Sequence, residues 1–321
     1  MKHITFQPIL TLCLSTVLCF GAAKKKDVPV FLTPSEGGAD YQDQGEYVND
    51  WGGAQVIALG DNQFRLVLYP GGLPGAGWDQ SSRNAAEGKR EGGSIQFSGY
   101  RDGWSHSLKK GVITTNSDQG DVYTMNKLVR TSPTMGVKPP TGAIILMDGS
   151  NADAWVKGHL DARNLLAAGT KTSQLFKDFR LHLEFKTPFK PKGRGQGRGK
   201  SGVYIQDRYE VQVLDSFGLE GKYNECGGLY TQAAPAVNMC FPPLTWQTYD
   251  IDFKAARFDD SGNKNHNAII TVRHNGVVIH DRREITAKTG GGKPEGPTPG
   301  PIQLQGHGNP VFYQNIWILE M

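Results

Sequence analysis

Two stretches decide the fold: FRLHLEFKTP, residues 179–188, and RYEVQVLD, residues 208–215. Successive side chains of a β-strand point to opposite faces, so residues two apart share a face. The first stretch therefore sets Phe179, Leu181, Leu183 and Phe185 on one side and Arg180, His182, Glu184 and Lys186 on the other. In the second, Tyr209, Val211 and Val213 form the buried side, Glu210 and Gln212 the opposite one, and Asp215 stands near the strand end. WQTYDIDFKA (246–255), NAIITVRHNGVVIHD (267–281) and GPIQLQGHG (300–308) repeat the habit, and Asn275-Gly276 marks a hairpin. Strands with one apolar and one polar face predict two packed antiparallel sheets, one of whose outer faces can carry a site.

Composition agrees. The 41 Gly and 18 Pro among 321 residues oppose long helices, and the best helical candidate is only LDARNLLAAG, residues 160–169. With 38% hydrophobic, 10% aromatic and 21% charged residues, the chain is neither a polytopic membrane protein nor disordered. A formal charge of +4 without a dense basic stripe argues against nucleic acid or anionic membrane as partners.

Residues 1–23 read as an export signal: Lys2 and His3, a largely apolar Ile4 to Phe20, then small Gly21-Ala22-Ala23. The expected location is periplasmic or secreted, with no membrane attachment once the signal is removed. Residues 24–137 then read as a small antiparallel β module of unassigned role, with strand candidates AQVIALG (54–60), FRLVLYP (64–70), GSIQFSG (93–99), GVITTN (111–116) and DVYTMNKLVR (121–130). Three prolines in SPTMGVKPPTGA, residues 132–143, mark a boundary, after which residues 138–321 form the larger unit. Trp51, Trp78 and Trp104 of the upstream module can serve as core or as a sugar-stacking platform. With Cys13 and Cys19 lost with the signal, Cys226 and Cys240 are an even pair, expected to form a disulfide across ECGGLYTQAAPAVNMC.

The acid–base candidates are Glu184, Glu210, Asp215 and His307, since proton transfer needs a positioned carboxylate or imidazole. Glu184, Glu210, Gln212, Gln305 and His307 alternate out of phase with the apolar residues of their strands, so neighbouring strands would gather them on one sheet face. A retaining glucanase carries E-x-D-x-E on one strand; here the strand reads Glu210-Val211-Gln212, leaving Glu184 as a carboxylate partner from across the sheet. GRGQGRGKSG (193–202) has Arg194 where a phosphate loop needs glycine, and reads instead as a basic loop presenting Arg198 or Lys200. No G-x-S-x-G, HExxH or dinucleotide-binding fingerprint is present.

AIILMDGSNADAW, FKDFRLHLEF, KSGVYIQDRYEVQVLDSFG, ECGGLYTQAAP, WQTYDIDF, HNGVVIHD and GPIQLQGHGNPVFYQNIWI, in that order, resemble the 3-keto-disaccharide hydrolase domain family over about residues 141–321. Lys200 and Gln247 stand where Asn is common in that family. The resemblance implies an all-β fold, a concanavalin-like jelly-roll β-sandwich preceded by the small β module. It also implies cleavage of glycosides oxidised to a ketone at position three. Such a reaction assigns catalysis to Glu210, His307 and Glu184 and substrate contacts to Arg198, Tyr204, Gln212, Asp215, Glu225 and Gln305. A divalent cation held by Glu184, Glu210 and His307 is an alternative way to polarise the enolate. The expected partner is a carbohydrate, with a sugar 3-oxidoreductase upstream. Two other readings stay open: a lectin-like module without chemistry, and a conventional two-carboxylate glycosidase.

Overall fold

The structure, a computed structural model, describes Met1 and residues 28–98 and 101–321; apart from Met1, the export signal lies outside the described residues. Among them no helix is long and apolar enough to cross a membrane. The helix α1 (Pro34–Asp43) leads into eight strands: β1 (Gly45–Asn49), β2 (Gly52–Gly60), β3 (Gln63–Pro70), β4 (Asn84–Glu91), β5 (Ser94–Ser98), β6 (Ser105–Lys109), β7 (Val112–Asn116) and β8 (Val122–Leu128). Each pairs antiparallel with the next, and β1 closes on β8 with Tyr47 opposite Lys127 and Val48 opposite Asn126. The upstream module is thus a closed barrel, which leaves no strand edge to aggregate.

Period two fills the barrel. Tyr47, Ala54, Val56, Phe64, Leu66, Ile95, Phe97 and Ile113 point inward and are at most 3% exposed. Gly88 stands beside Phe97, whose ring would lie 2.2 Å from any added Cβ. One end of this core is closed by Phe189, which comes from the downstream half of the chain. Phe31 and Phe189 exchange backbone hydrogen bonds of 2.9 and 3.0 Å, and their rings lie 5.8 Å apart. Tyr41 of α1 packs edge-on against Phe189 at 5.5 Å.

The sandwich strands are β9 (Ile144–Met147), β10 (Trp155–Val156), β11 (Leu166–Ala167), β12 (Thr170–Thr172), β13 (Phe179–Lys186), β14 (Ser201–Ile205), β15 (Tyr209–Val213), β16 (Gln247–Lys254), β17 (Arg257–Phe258), β18 (Lys264–His266), β19 (Ala268–His274), β20 (Val277–Ile285), β21 (Ile302–Leu304) and β22 (Phe312–Glu320). They form a five-stranded sheet, β10-β12-β21-β14-β15, and a seven-stranded sheet, β11-β22-β13-β16-β19-β20 with β9 on β22; β17 and β18 make a separate ribbon. The inward residues of both sheets share one core, including Leu181, Leu183, Val203, Val211, Ile251, Ile270, Leu304 and Ile318. This is the all-β sandwich behind a β module that alternation predicts.

Barrel and sandwich touch through Ile57, Val67, Tyr69 and Phe217. Arg83 donates to the Gly218 carbonyl at 2.8 Å, and Arg194 to that of Leu59 at 2.8 Å. The loop at 193–200 is thereby tied to the barrel instead of projecting as a free basic loop.

Two local expectations fail for identifiable reasons. LDARNLLAAG is not helical, because the Asp161 carboxylate accepts from the backbone N–H of Arg163 and Leu165, closing a turn that sends Leu166 into β11. The helix lies instead at Thr33-Pro34-Ser35-Glu36, where Thr33 and Glu36 form a capping box and proline occupies the first turn. Cys226 and Cys240 are buried free thiols, not a disulfide. The two thiols are hydrogen-bond neighbours of each other; Cys226 Sγ also meets the Tyr249 hydroxyl at 3.3 Å, and Cys240 Sγ donates to the carbonyls of Leu214 and Phe241 at 3.5 and 3.4 Å. The excursion they were expected to staple is held by Asn238, whose amide donates to the carbonyls of Ser216 and Leu219.

Phe189→Ala should open a cavity at the barrel end and destabilise the chain by about 3–5 kcal/mol. Hydrogen exchange should speed up in β2 and β3 more than in β16 and β19; uniform or unchanged exchange would show that the barrel closes without this ring.

Candidate active site

The β14–β15 hairpin builds the site. Val203, Ile205, Tyr209, Val211 and Val213 enter the core at no more than 1% exposure, so Gly202, Tyr204, Glu210 and Gln212 must occupy the other face. Register sets Tyr204 opposite Glu210 and Gly202 opposite Gln212. On the other side of β14, Gln303 stands opposite Tyr204, and the backbone N–H of Gln305 donates to the Gly202 carbonyl at 2.8 Å. Glu210, Gln212 and Gln305 therefore lie together, as alternation anticipates.

The Tyr204 hydroxyl donates to Glu210 Oε2 at 2.7 Å. The other carboxylate oxygen, Oε1, occupies the space a side chain at position 202 would take: a Cβ there would lie 2.4 Å from it. Oε1 has no hydrogen-bond partner, and neither do the buried amide oxygens of Gln212 and Gln305. Three buried acceptors in one neighbourhood thus keep hydrogen-bonding capacity that no group of the chain uses. The amide nitrogens are already committed: Gln212 Nε2 donates to Gln196 Oε1 at 2.9 Å and to the Asn224 carbonyl at 3.1 Å, and Gln305 Nε2 to the Tyr204 hydroxyl at 3.4 Å.

Surrounding elements fix this set. The backbone N–H of Glu210 donates to Thr289 Oγ1 at 2.8 Å, and the loop that follows brings Gly291 against the Tyr204 hydroxyl. The Lys200 ammonium sits 4.9 Å from the centre of the Tyr230 ring. Burial pushes the Glu210 carboxyl above its ordinary range, against the opposing effects of the Tyr204 hydrogen bond and the Lys200 charge. Burial, reinforced by Glu210, holds the Tyr204 phenol far above its usual range, so it remains a donor. A carboxylate raised toward neutrality, next to a fixed donor and a cation, is equipped for general acid–base work.

Glu184 is separated from this face, while His307 follows shortly after Gln305 along the chain. Glu184 is on β13 in the seven-stranded sheet, so it cannot pair with Glu210 on the five-stranded one. Its Oε1 accepts from the N–H of Gly136 at 2.6 Å and from Asn315 Nδ2 at 2.9 Å, and its Oε2 from Gln314 Nε2 at 2.7 Å. His182 beside it bonds Asp250 at 2.7 Å, and Thr134 donates to the same Asp250 at 2.7 Å. These contacts strap the segment between barrel and sandwich onto the outer face of the sheet. His307 is exposed on the loop beyond Gln305. The cation set Glu184, Glu210 and His307 is thus divided, and among the described residues no group of three or more His, Cys, Asp or Glu is placed to hold a metal ion.

Arg198 and Asp215 form a buried ion pair of 2.7 Å at the junction with the barrel, lining a cavity of about 120 Å³ with Ile57, Leu59 and Phe217. Glu225 closes its own turn through Oε2, which accepts from the N–H of Gly221 and Lys222 at 2.6 and 3.0 Å. Gln196, Asn224, Tyr230 and Thr289 join the site without having been singled out in the sequence. Lys200 is in phase with Gly202 and Tyr204, and that alternation is the signal that marks it.

Residues 142–319 match the model of the 3-keto-alpha-glucoside-1,2-lyase-like domain. A crystal structure from Parabacteroides distasonis ATCC 8503, described provisionally as a glycosyl hydrolase, is similar at 33% identity and a TM-score of 0.53, covering 57% of this chain and 85% of that one. A second structure from the same organism with the same description shares 16% identity at a TM-score of 0.42, covering 56% of this chain and 94% of that one. No curated protein matches the chain.

The strap generates a pH expectation. Burial raises Glu184, but the hydrogen bonds from His182, Asn315, Gln314 and Gly136 prevail and hold it down to about 2, below its ordinary 4.5. Its contribution to stability is present above 4.5 and is lost as pH falls from there toward 2. His182, where burial is outweighed by Asp250 and Glu184, is raised above 6.5, so its contribution is complete below 6.5 and fades as pH rises beyond its folded value. Urea midpoints should therefore fall more steeply below pH 4.5 in the wild-type chain than in Glu184→Gln; parallel curves would remove Glu184 as the titrating group.

Proposed function

The chain belongs to the 3-keto-alpha-glucoside-1,2-lyase-like domain family, and from that membership together with the Glu210 face we propose that it is an enzyme cleaving glycosides whose sugar is oxidised to a ketone at C3. A carbohydrate-active role has the support of both the family and the 33%-identical neighbour. The observation that carries the finer reading is Glu210: a buried carboxylate with one oxygen held by Tyr204 and the other unpartnered over Gly202.

A C3 ketone acidifies the proton on C2. Glu210 takes that proton through Oε1, and the C2–H electron pair moves into an enolate on the ketone oxygen. When the enolate collapses, the C1–O bond breaks and the aglycone oxygen leaves with that electron pair and takes the proton held by Glu210, giving an unsaturated keto sugar and restoring the carboxylate; addition of water across the new double bond, hydrogen to C2 and hydroxyl to C1, completes net hydrolysis. Lys200 supplies the positive charge for the enolate oxygen, and the amide oxygens of Gln212 and Gln305 receive sugar hydroxyls. Gly202, Tyr204, Glu210, Gln212, Gln303 and Gln305 include a single carboxylate, which favours elimination over two-carboxylate hydrolysis. The substrate must come from an enzyme that oxidises a sugar at C3, hence a sugar 3-oxidoreductase upstream. With residues 1–23 as its signal, the enzyme works outside the cytoplasm, which cell fractionation of the full chain would check.

A p-nitrophenyl 3-keto-glucoside should be cleaved while its unoxidised parent is not, and Glu210→Gln should lower kcat by about 10²–10⁴-fold. Equal turnover of the parent, or full activity in Glu210→Gln, would overturn the proposal. Because the Tyr204 hydrogen bond lowers the Glu210 pKa, Tyr204→Phe should move the acid limb of kcat/KM to higher pH. A limb that stays in place would mean that another group is the base.

A further inference from the structure

The barrel has two unlike ends. Phe189 fills one; the other opens into a cavity of about 330 Å³ that includes Trp51, Leu68, Trp104, His106, Tyr123 and Met125. An eight-stranded barrel has an interior just wide enough for its own side chains or one small ligand. Here the side chains stop short: the layer above Phe64 and Leu66 is completed at the open end by Asn84, Thr115 and side-chain-free Gly52. The volume lies within the range of small-molecule sites.

The rim is aromatic and its geometry is fixed. Trp104 and Tyr123 lie within 5° of parallel with ring centres 6.3 Å apart, and Trp51 stands 6.2 Å from Tyr123 at 59°. The Trp104 indole N–H donates to Asp118 Oδ1 at 3.1 Å, and the Arg101 guanidinium lies 4.9 Å over its ring. Trp51 is 74% exposed, leaving a large apolar ring in water at the mouth of a cavity. An exposed apolar surface of this kind marks a contact site.

Charge narrows the occupant. Among the described residues no Asp, Glu, Lys or Arg lines the cavity, the charges of Arg101 and Asp118 being engaged with Trp104 at its rim, and burial disfavours the charged form of His106, which sits beside Thr115 Oγ1 at 2.8 Å. The lining therefore suits an uncharged ligand, with a flat C–H face for the indole and hydroxyl groups for Asn84 and Thr115. A pyranose ring has both. We propose that the open mouth of the barrel is a second binding site, taking a neutral pyranose unit of a glycan, separate from the Glu210 face.

Calorimetric titration of the full chain carrying Glu210→Gln, with cellobiose, maltose, glucose 6-phosphate and phenol as probes, tests this without turnover. Saturable binding of a neutral disaccharide is expected, weakened about tenfold by Trp51→Ala or Trp104→Ala, partly retained in Trp51→Phe, and weaker for glucose 6-phosphate. In the otherwise wild-type chain, Trp51→Ala should leave kcat/KM on a soluble 3-keto-glucoside within about twofold, so failure here and failure of the proposed reaction read out separately. Absence of saturable disaccharide binding, binding indifferent to both tryptophans, tighter binding of phenol or glucose 6-phosphate, or a fall in kcat/KM with Trp51→Ala would overturn the proposal.

Discussion

The register that sets Tyr204 opposite Glu210 across β14 and β15 is the constraint on which the site depends. A slip of one residue would carry Tyr209, Val211 and Val213 out of the core and Glu210 into it. Register is enforced from below by the apolar residues and from above by specific fittings. Tyr204 satisfies one carboxylate oxygen, Gly202 makes room for the other, and Thr289 holds the backbone of Glu210. A buried carboxylate is costly unless its surroundings are arranged for it. The arrangement here leaves one oxygen unsatisfied, which is the form such a cost takes at a site built for chemistry.

Alternation made the sandwich legible, because a period of two is a local property that survives without knowledge of the partner strands. It correctly separated Glu210, Gln212 and Gln305 from the core. It could not say which of two outer faces a residue joins, since that is fixed by long-range pairing. Glu184 has the same pattern as Glu210, yet β13 pairs with β16 and β22 in the other sheet. The turn at Asp161 was hidden for the opposite reason: its carboxylate serves backbone N–H groups of Arg163 and Leu165, a short-range role that the helical look of LDARNLLAAG conceals. The cysteine expectation was right about proximity and not about the bond: the two buried thiols neighbour each other and are free.

The strap between barrel and sandwich spends polar side chains on holding backbone. His182, Glu184, Asp250, Gln314 and Asn315 form a network on the outer face of the seven-stranded sheet, which would otherwise resemble a catalytic cluster of carboxylates and imidazole. Saturation distinguishes it from the Glu210 face. Both oxygens of Glu184 are engaged, while Glu210, Gln212 and Gln305 each retain an empty acceptor. The unpartnered oxygens, more than residue type, distinguish the Glu210 face from the Glu184 network.

The ring of Phe189 also makes the barrel core discontinuous in sequence. The last barrel strand ends at Leu128, yet the ring that packs into the end of its core is supplied from beyond β13. Cutting the chain between the two halves would therefore leave a barrel with every strand but without its plug.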